Sequence, residues 1–384
     1  MLLIKNGYIK TMAGPDIPKG CVLIGDDGKI VSVAESIECG NVTVIDAQGR
    51  LVTPGCVDAH CHIGLDNQAM GWEGRDYNEA VDPITPQMRA IDSINPLDEA
   101  FGLALKGGVT SACTGPGSAN VVGGTFVAIK LAGKRVDKMI IKDPIAMKCA
   151  FGENPKRVYQ GKTDSCRMTT AAILREALSK AKRYAQQLDA AGNDASKQPK
   201  FDMKMEALLP VIRGEMPLKA HAHRADDIFT AIRIAEEFGV KLTLEHVTEG
   251  HLIVEELADC GYPMAVGPSM THATKVELQN KSWTTPGILA KAGCQVSIIT
   301  DNSVTCQEYL PLCAGMAVKA GMDPFQALQA ITINPARHVG VADRVGSLEV
   351  GKDADLVITN GCPFEIGTQV QRVLIDGKTV FQAQ

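Results

Sequence analysis

Hydrophobic and polar positions change their period twice along this chain. Residues 1–55 alternate apolar and polar side chains in short runs, "LLIKNGYI", "CVLIGDDGKIVSVAE" and "VTVIDAQGRLVTPG". That period of two is the signature of half-buried strands. The "DDGK" at 26–29 reads as a hairpin turn, because glycine accepts positive φ. The far end behaves alike: "SLEVGKDADLVITN" and "VQRVLIDGKTVF" are strands, the second with its own Asp-Gly turn. Chain ends often lie close in space, so residues 1–55 and 346–384 are expected to pair into one small β-sandwich domain.

Between them, over 56–345, short apolar strands alternate with helical periods. "CVDAHCHI" precedes the helical "LDEAFGLALKGG", "VTSACT" follows, and "PIAMKCAF" reads as a third strand. A long helix, "TTAAILREALSKAKRYAQQLDAA", comes next. Four strand–helix pairs then follow, beginning at "PLKAHAH", "KLTLEHV", "PMAVGPS" and "QVSIITD". Asp323 and Pro324 look like the N-cap and first residue of a last helix. This α/β alternation predicts parallel strands with helical crossovers, and its length fits an eight-stranded (β/α)8 TIM barrel. A fourth strand is not evident, "KQPKFDMKM" being a poor candidate, so irregularity is expected there. The run "TGPGSANVVGG" at 114–124 reads as a glycine-rich loop near the pocket mouth.

Composition narrows the function classes. The 384 residues carry a net charge of −5 and are 45% hydrophobic. No basic stripe suggests nucleic acid. No run approaches a membrane span or a signal peptide. A cytoplasmic protein acting on a small molecule, without nucleic acid or membrane partners, is expected, and a homo-oligomer. The twelve cysteines are scattered with no CxxC pair and read as buried small hydrophobes.

The chemistry starts at "DAHCH", 58–62. On a strand, Asp58, His60 and His62 would share a face, and paired imidazoles invite a transition metal. Cys61 should point the other way. Further polar residues fall at strand ends, where barrel chemistry sits: His221 and His223, then His246, then Asp301. Five of the eight histidines would thus converge on one pocket. His251, His272 and His338 read as ordinary polar residues, although His272 follows a strand-end loop and is a candidate substrate contact.

The start "GRLVTPGCVDAHCH", the barrel histidines, Asp301 and "NPARHVGVADRVGSLEVGKDADLVI" together resemble the amidohydrolase superfamily over nearly the whole chain. The likeness is to its imidazolonepropionase-like and prolidase-like members. The resemblance implies a metal-dependent hydrolase in the barrel. It makes His60 and His62 first-strand metal ligands and His221 the fifth-strand ligand, with His223 the alternative on the same face. His246 becomes the sixth-strand ligand, and Asp301 both ligand and general base. Many binuclear members carry a carboxylated lysine at the fourth-strand end. Two residues are candidates to replace it here, Glu153 as a loop carboxylate and Lys148 as a carboxylated lysine.

Imidazoles with a carboxylate suit zinc with an open position; manganese and iron accept the same donors. One ion or two are expected. Asp301 would shuttle a proton between water and the leaving nitrogen, while His246 or His223 polarises the carbonyl. The reaction class is hydrolysis of an amide or cyclic amide. Arg224 is a candidate for a substrate carboxylate, with Arg75 and Tyr77 further candidates. The run 114–124 lacks a P-loop lysine, which argues against a nucleotide site. A deaminase on the same fold needs the same metal set and is the rival reading. A metal-free scaffold is a further one, against which the intact HxH and Asp301 stand.

Overall fold

The computed structural model describes residues 1–163 and 166–384. Five strands open the chain: β1 (Leu2–Ile9), β2 (Ile17–Ile24), β3 (Ile30–Ala34), β4 (Thr43–Asp46) and β5 (Leu51–Pro54). Eight barrel strands follow: β6 (Cys56–Cys61), β7 (Val109–Thr114), β8 (Val122–Lys130), β9 (Ile140–Ala150), β10 (Leu218–Ala222), β11 (Leu242–His246), β12 (Met264–Val266) and β13 (Val296–Ile298). Three close the chain: β14 (Leu356–Thr359), β15 (Val370–Ile375) and β16 (Lys378–Gln382).

Both chain ends pair in one eight-stranded sheet of order β16-β15-β14-β5-β1-β2-β3, with β4 added beside β1. Strands from both ends share one apolar cluster that includes Ile4, Val22, Ile30, Val52, Leu356 and Leu374. The predicted Asp-Gly turn between β15 and β16 places Asp376 at φ 49° and Gly377 at φ 70°. Two successive positive φ values are what a type I′ hairpin requires.

The second sheet has the order β13-β12-β11-β10-β9-β8-β7-β6 and is a nearly closed barrel. One strand corrects the reading of the sequence. Residues 122–124, the end of the run read as a glycine-rich loop, open the third strand, β8, which continues to Lys130 and runs antiparallel to both β7 and β9. "PIAMKCAF" therefore belongs to the fourth strand, β9, and Met203–Ile212 in the discarded candidate region is helix. All nine residues of β8 are buried. With both faces covered no polar alternation survives to mark a strand, and its two glycines read as a turn.

No backbone ladder joins β13 to β6. The seam is stitched at the C-terminal ends of the strands instead: Asp301 N donates to His60 O at 3.2 Å and His62 N to Asn302 O at 2.6 Å. Asp58 does not project with the histidines. Its carboxylate accepts from the Thr300 backbone N–H and hydroxyl and from Gln307, which ties β6 to the loop carrying Asp301. Burial pushes this carboxyl up to about 7. Cys61 is fully buried, in an apolar cluster with Ile63, Phe101 and Cys313. No helix among the described residues is long and apolar enough to cross a membrane.

Candidate metal centre

Two groups of potential ligands stand side by side at the C-terminal strand ends. His60, His62 and Asp301 form one; His221, His223 and His246 form the other. In the first, His62 Nε2 lies 3.1 Å and His60 Nε2 3.7 Å from Asp301 Oδ1. In the second, ring centroids are 4.3 to 4.7 Å apart. His60 and His246, 5.0 Å apart, join the groups. The backbone bends sharply where it presents them: His246 has φ 76°, Val247 φ 44° and Asp301 φ 53°. A β-branched residue in the left-handed region is a genuine outlier, and such strain collects at functional sites.

The partner of each Nδ1 atom decides what its ring can do. His62 Nδ1 faces Gly115 O at 2.7 Å and His246 Nδ1 faces Gly267 O at 2.8 Å. A carbonyl only accepts, so both rings carry hydrogen on Nδ1 and present a bare Nε2 lone pair. His60 Nδ1 donates likewise to Glu245 Oε2 at 2.9 Å. His223 differs, because Nδ1 meets the Thr248 hydroxyl at 2.7 Å, which either donates or accepts. Burial drives His60, His221 and His223 well below the usual imidazole range and His246 to about 4. Neutral rings are the ligating form. Burial opposes ionisation of Asp301, and positive charge beside it, on His246 or His62, lowers the carboxyl below the usual range.

Lys148 ends the fourth strand between the groups, its Nζ 3.2 Å from His60 Nε2. It is fully buried, and burial lowers the amine to about 8. Beneath lies a polar layer that the sequence reading passed over. Glu245 accepts from Lys219 Nζ, from His338 Nε2 and from His60, each at 2.9 Å, and from Thr243 at 2.7 Å. Phe126, from the reversed strand, lies close to both lysines, each Nζ 5.4 Å from the ring centre.

Glu245→Gln is expected to lower metal affinity roughly 10–100-fold, the usual effect of losing an outer partner of a ligating histidine. It also leaves Lys219 charged and poorly paired, which destabilises the fold. A second change, Lys219→Met, removes that lone charge and recovers melting temperature without recovering affinity. Chelator competition per folded protein separates the two effects; wild-type affinity in Glu245→Gln would make Glu245 purely structural.

The other candidates scatter. Glu153 joins neither group; its backbone N–H donates to Glu277 Oε2 at 3.0 Å. The carboxylate that does approach is Glu277, with Oε1 3.7 Å from Nε2 of both His221 and His223. Arg224 forks onto Asp226 at 3.0 Å through two nitrogens. Arg75 leans on Asp66. His272 is exposed and does not line the cavity. Tyr77 does line it, stacked 5.1 Å from His62. The cavity over both histidine groups encloses about 280 Å³.

Five histidines and an aspartate thus gather at the strand ends of the barrel. Residues 51–380 match the model of the amidohydrolase family, and the chain belongs to that family. An amidohydrolase (tasK) of Hapsidospora irregularis is 31% identical over 88% of this chain, and the match spans only 37% of that relative's length. An imidazolonepropionase of Symbiobacterium thermophilum is 26% identical over 93% of this chain and 90% of its own. The crystal structure of an amidohydrolase from Thermotoga maritima MSB8 superposes with a TM-score of 0.97 at 43% identity, over all of both chains.

Proposed function

We propose that the protein hydrolyses an amide or cyclic-amide C–N bond of a small molecule with the help of one or two divalent cations, zinc fitting best. The observation that carries this reading is the set of buried Nε2 atoms turned inward by their Nδ1 partners. His246 Nε2 and both nitrogens of His221 are buried without a hydrogen-bond partner among the described residues. Such atoms are costly unless something binds them, and neutral imidazoles with a carboxylate are a zinc donor set.

His60, His62 and Asp301 would hold one ion, and His221 and His246 a second. Bound there, a divalent cation supplies a nucleophilic water at neutral pH and polarises the scissile carbonyl. Asp301, kept ionised, accepts the proton of the attacking water and returns it to the leaving nitrogen. His246 cannot donate from Nε2 while Gly267 holds its Nδ1 hydrogen, which makes it a ligand rather than an acid. His223 can: with the Thr248 hydroxyl donating to Nδ1, Nε2 carries hydrogen and stabilises the oxyanion.

Lys148 fits the carboxylated lysine of the binuclear relatives. Its neutral amine adds to the carbon of carbon dioxide and releases one proton, giving a carbamate, an anion between the two groups. Lys148→Met is expected to lower bound metal from about two ions toward one per chain and to abolish the carbamate resonance seen with ¹³C-bicarbonate. Two retained ions would remove Lys148 from the ligand set. The reading as a whole is tested by turnover of metal-reconstituted protein on matched libraries of N-acyl compounds, lactams and aminopurines. Chelator-sensitive amide or lactam cleavage supports it, ammonia release from the purines alone would favour a deaminase, and inactivity on every library with metal bound would refute it.

A further inference from the structure

Glu245 holds the ring of His60, and the donors around Glu245 decide how firmly. Each carboxylate oxygen has two lone pairs, so four donors fill the group. Oε2 accepts from His60 Nδ1 and Lys219 Nζ, each at 2.9 Å. Oε1 accepts from the Thr243 hydroxyl at 2.7 Å and from His338 Nε2 at 2.9 Å. The last torsion of a glutamate is soft, and a pair of donors on each oxygen removes that freedom. His60, Lys219 and Thr243 come from barrel strands β6, β10 and β11; His338 comes from the helix Ile333–His338, outside the sheet.

The ring of His338 is used in one direction. A carboxylate only accepts, so Nε2 carries the hydrogen and Nδ1 is bare. That Nδ1 is buried and has no hydrogen-bond partner among the described residues. Lys219 Nζ does not supply one: it stands 3.5 Å from Nε2 and donates to Glu245 and to Ala59 O, each at 2.9 Å. An unsatisfied buried nitrogen is costly, and what the ring offers in return is a single N–H on Glu245.

The segment that delivers this ring also bridges the gap in the barrel sheet. Ile298 N on β13 donates to Ala330 O, and Val57 N on β6 donates to Ile331 O, each at 2.8 Å. The Asn334 amide donates to Val296 O at 3.0 Å. Ala336, Val339 and Val341 share an apolar cluster with Val57, Ala59 and Phe126. The contacts that span the β13–β6 gap therefore also set where His338 stands.

We infer that His338 is a positioning residue of the metal centre. Through Glu245 it fixes the ring of His60, whose Nε2 faces Asp301, so that closure of the barrel and aim of a metal ligand are set by one segment. The inference rests on the reading of His60 as a ligand given above.

The test measures zinc and cobalt(II) affinity of the full chain by chelator competition, per folded protein, beside a melting curve. His338→Phe keeps a ring and removes the donor. It should weaken binding roughly three- to tenfold, less than the roughly 10–100-fold of a direct outer partner, because His338 acts one bond further away. The ligand-field bands of the cobalt(II) form should shift. His338→Gln, which restores an N–H, should recover part of the affinity. In a Glu245→Gln background His338→Phe should cost little more, since residues acting through one another are not additive. Wild-type affinity and spectrum in His338→Phe, full additivity with Glu245→Gln, or a lowered melting temperature with unchanged affinity would each overturn the inference. Metal-dependent hydrolysis by the wild type beside an unaltered His338→Phe leaves the hydrolase reading standing while this one falls. A wild type that binds metal and hydrolyses nothing, with affinity weakened in His338→Phe, does the reverse.

Discussion

His60→Ala and His62→Ala each lose most of the bound metal and nearly all turnover while the barrel stays folded. The expectation follows from where each ring is held. His60 is fixed by Glu245 on one nitrogen and faces Lys148 and Asp301 with the other. Truncation removes a donor from the place where the two ligand groups meet. Losing only an outer partner of such a histidine costs roughly 10–100-fold in affinity or activity, so losing the ligand itself costs more. The fold has independent support. After His60→Ala, Glu245 keeps Lys219, His338 and Thr243 as partners. The seam bonds from Asp301 N and to Asn302 O use backbone atoms that alanine retains. Elemental analysis beside a melting curve checks both halves, and wild-type metal content in the double variant would sink the assignment.

Asp301→Asn loses roughly 10²–10⁴-fold in kcat, the range for a general acid–base group, while the histidines keep much of the metal. Asparagine preserves size and accepts the left-handed backbone that Asp301 adopts at φ 53°, so the turn survives. What it lacks is a site that takes up a proton and returns it. A divalent cation shared by Asp301 and His62, whose Oδ1 and Nε2 lie 3.1 Å apart, would keep the carboxylate ionised, which suits the base role toward water. A purely structural Asp301 predicts a lowered melting temperature with normal turnover per bound metal. Measuring kcat per metal ion decides, and near-wild-type values would take Asp301 out of the chemistry.

Much of this centre is legible in the sequence because strands sort side chains by parity. "HCH" and "HAH" put two imidazoles on one face each, and Asp301 follows an apolar run that can only be an interior strand. The same parity reaches further than the histidines. In "LKAHAH", Lys219 shares a face with His221, and in "LTLEH", Thr243 shares one with Glu245; both pairs point into the barrel. β8 stayed hidden because burial on both faces erased its alternation. That one missing strand displaced the count and left Lys148 on an apparent third strand instead of the fourth. Glu277 had no local signal at all. It sits in a single turn, Val276–Leu278, and reaches the histidines only through tertiary folding.

The reversed strand also changes how the barrel comes together. Parallel neighbours must wait for long crossovers, such as 62–108 between β6 and β7 or 151–217 between β9 and β10. Because β8 turns back, β7, β8 and β9 are linked by 115–121 and 131–139 alone. Loop-closure entropy grows with the logarithm of length, so a connection roughly sevenfold shorter closes at about 1.7 kcal/mol less cost. The meander 109–150 is therefore the stretch of barrel wall whose pairing demands least of the unfolded chain. It carries Phe126 and Lys148 on paired strands, opposite Ala146 and Gly124, so the floor and the middle of the candidate metal centre are set by the most local contacts the barrel possesses.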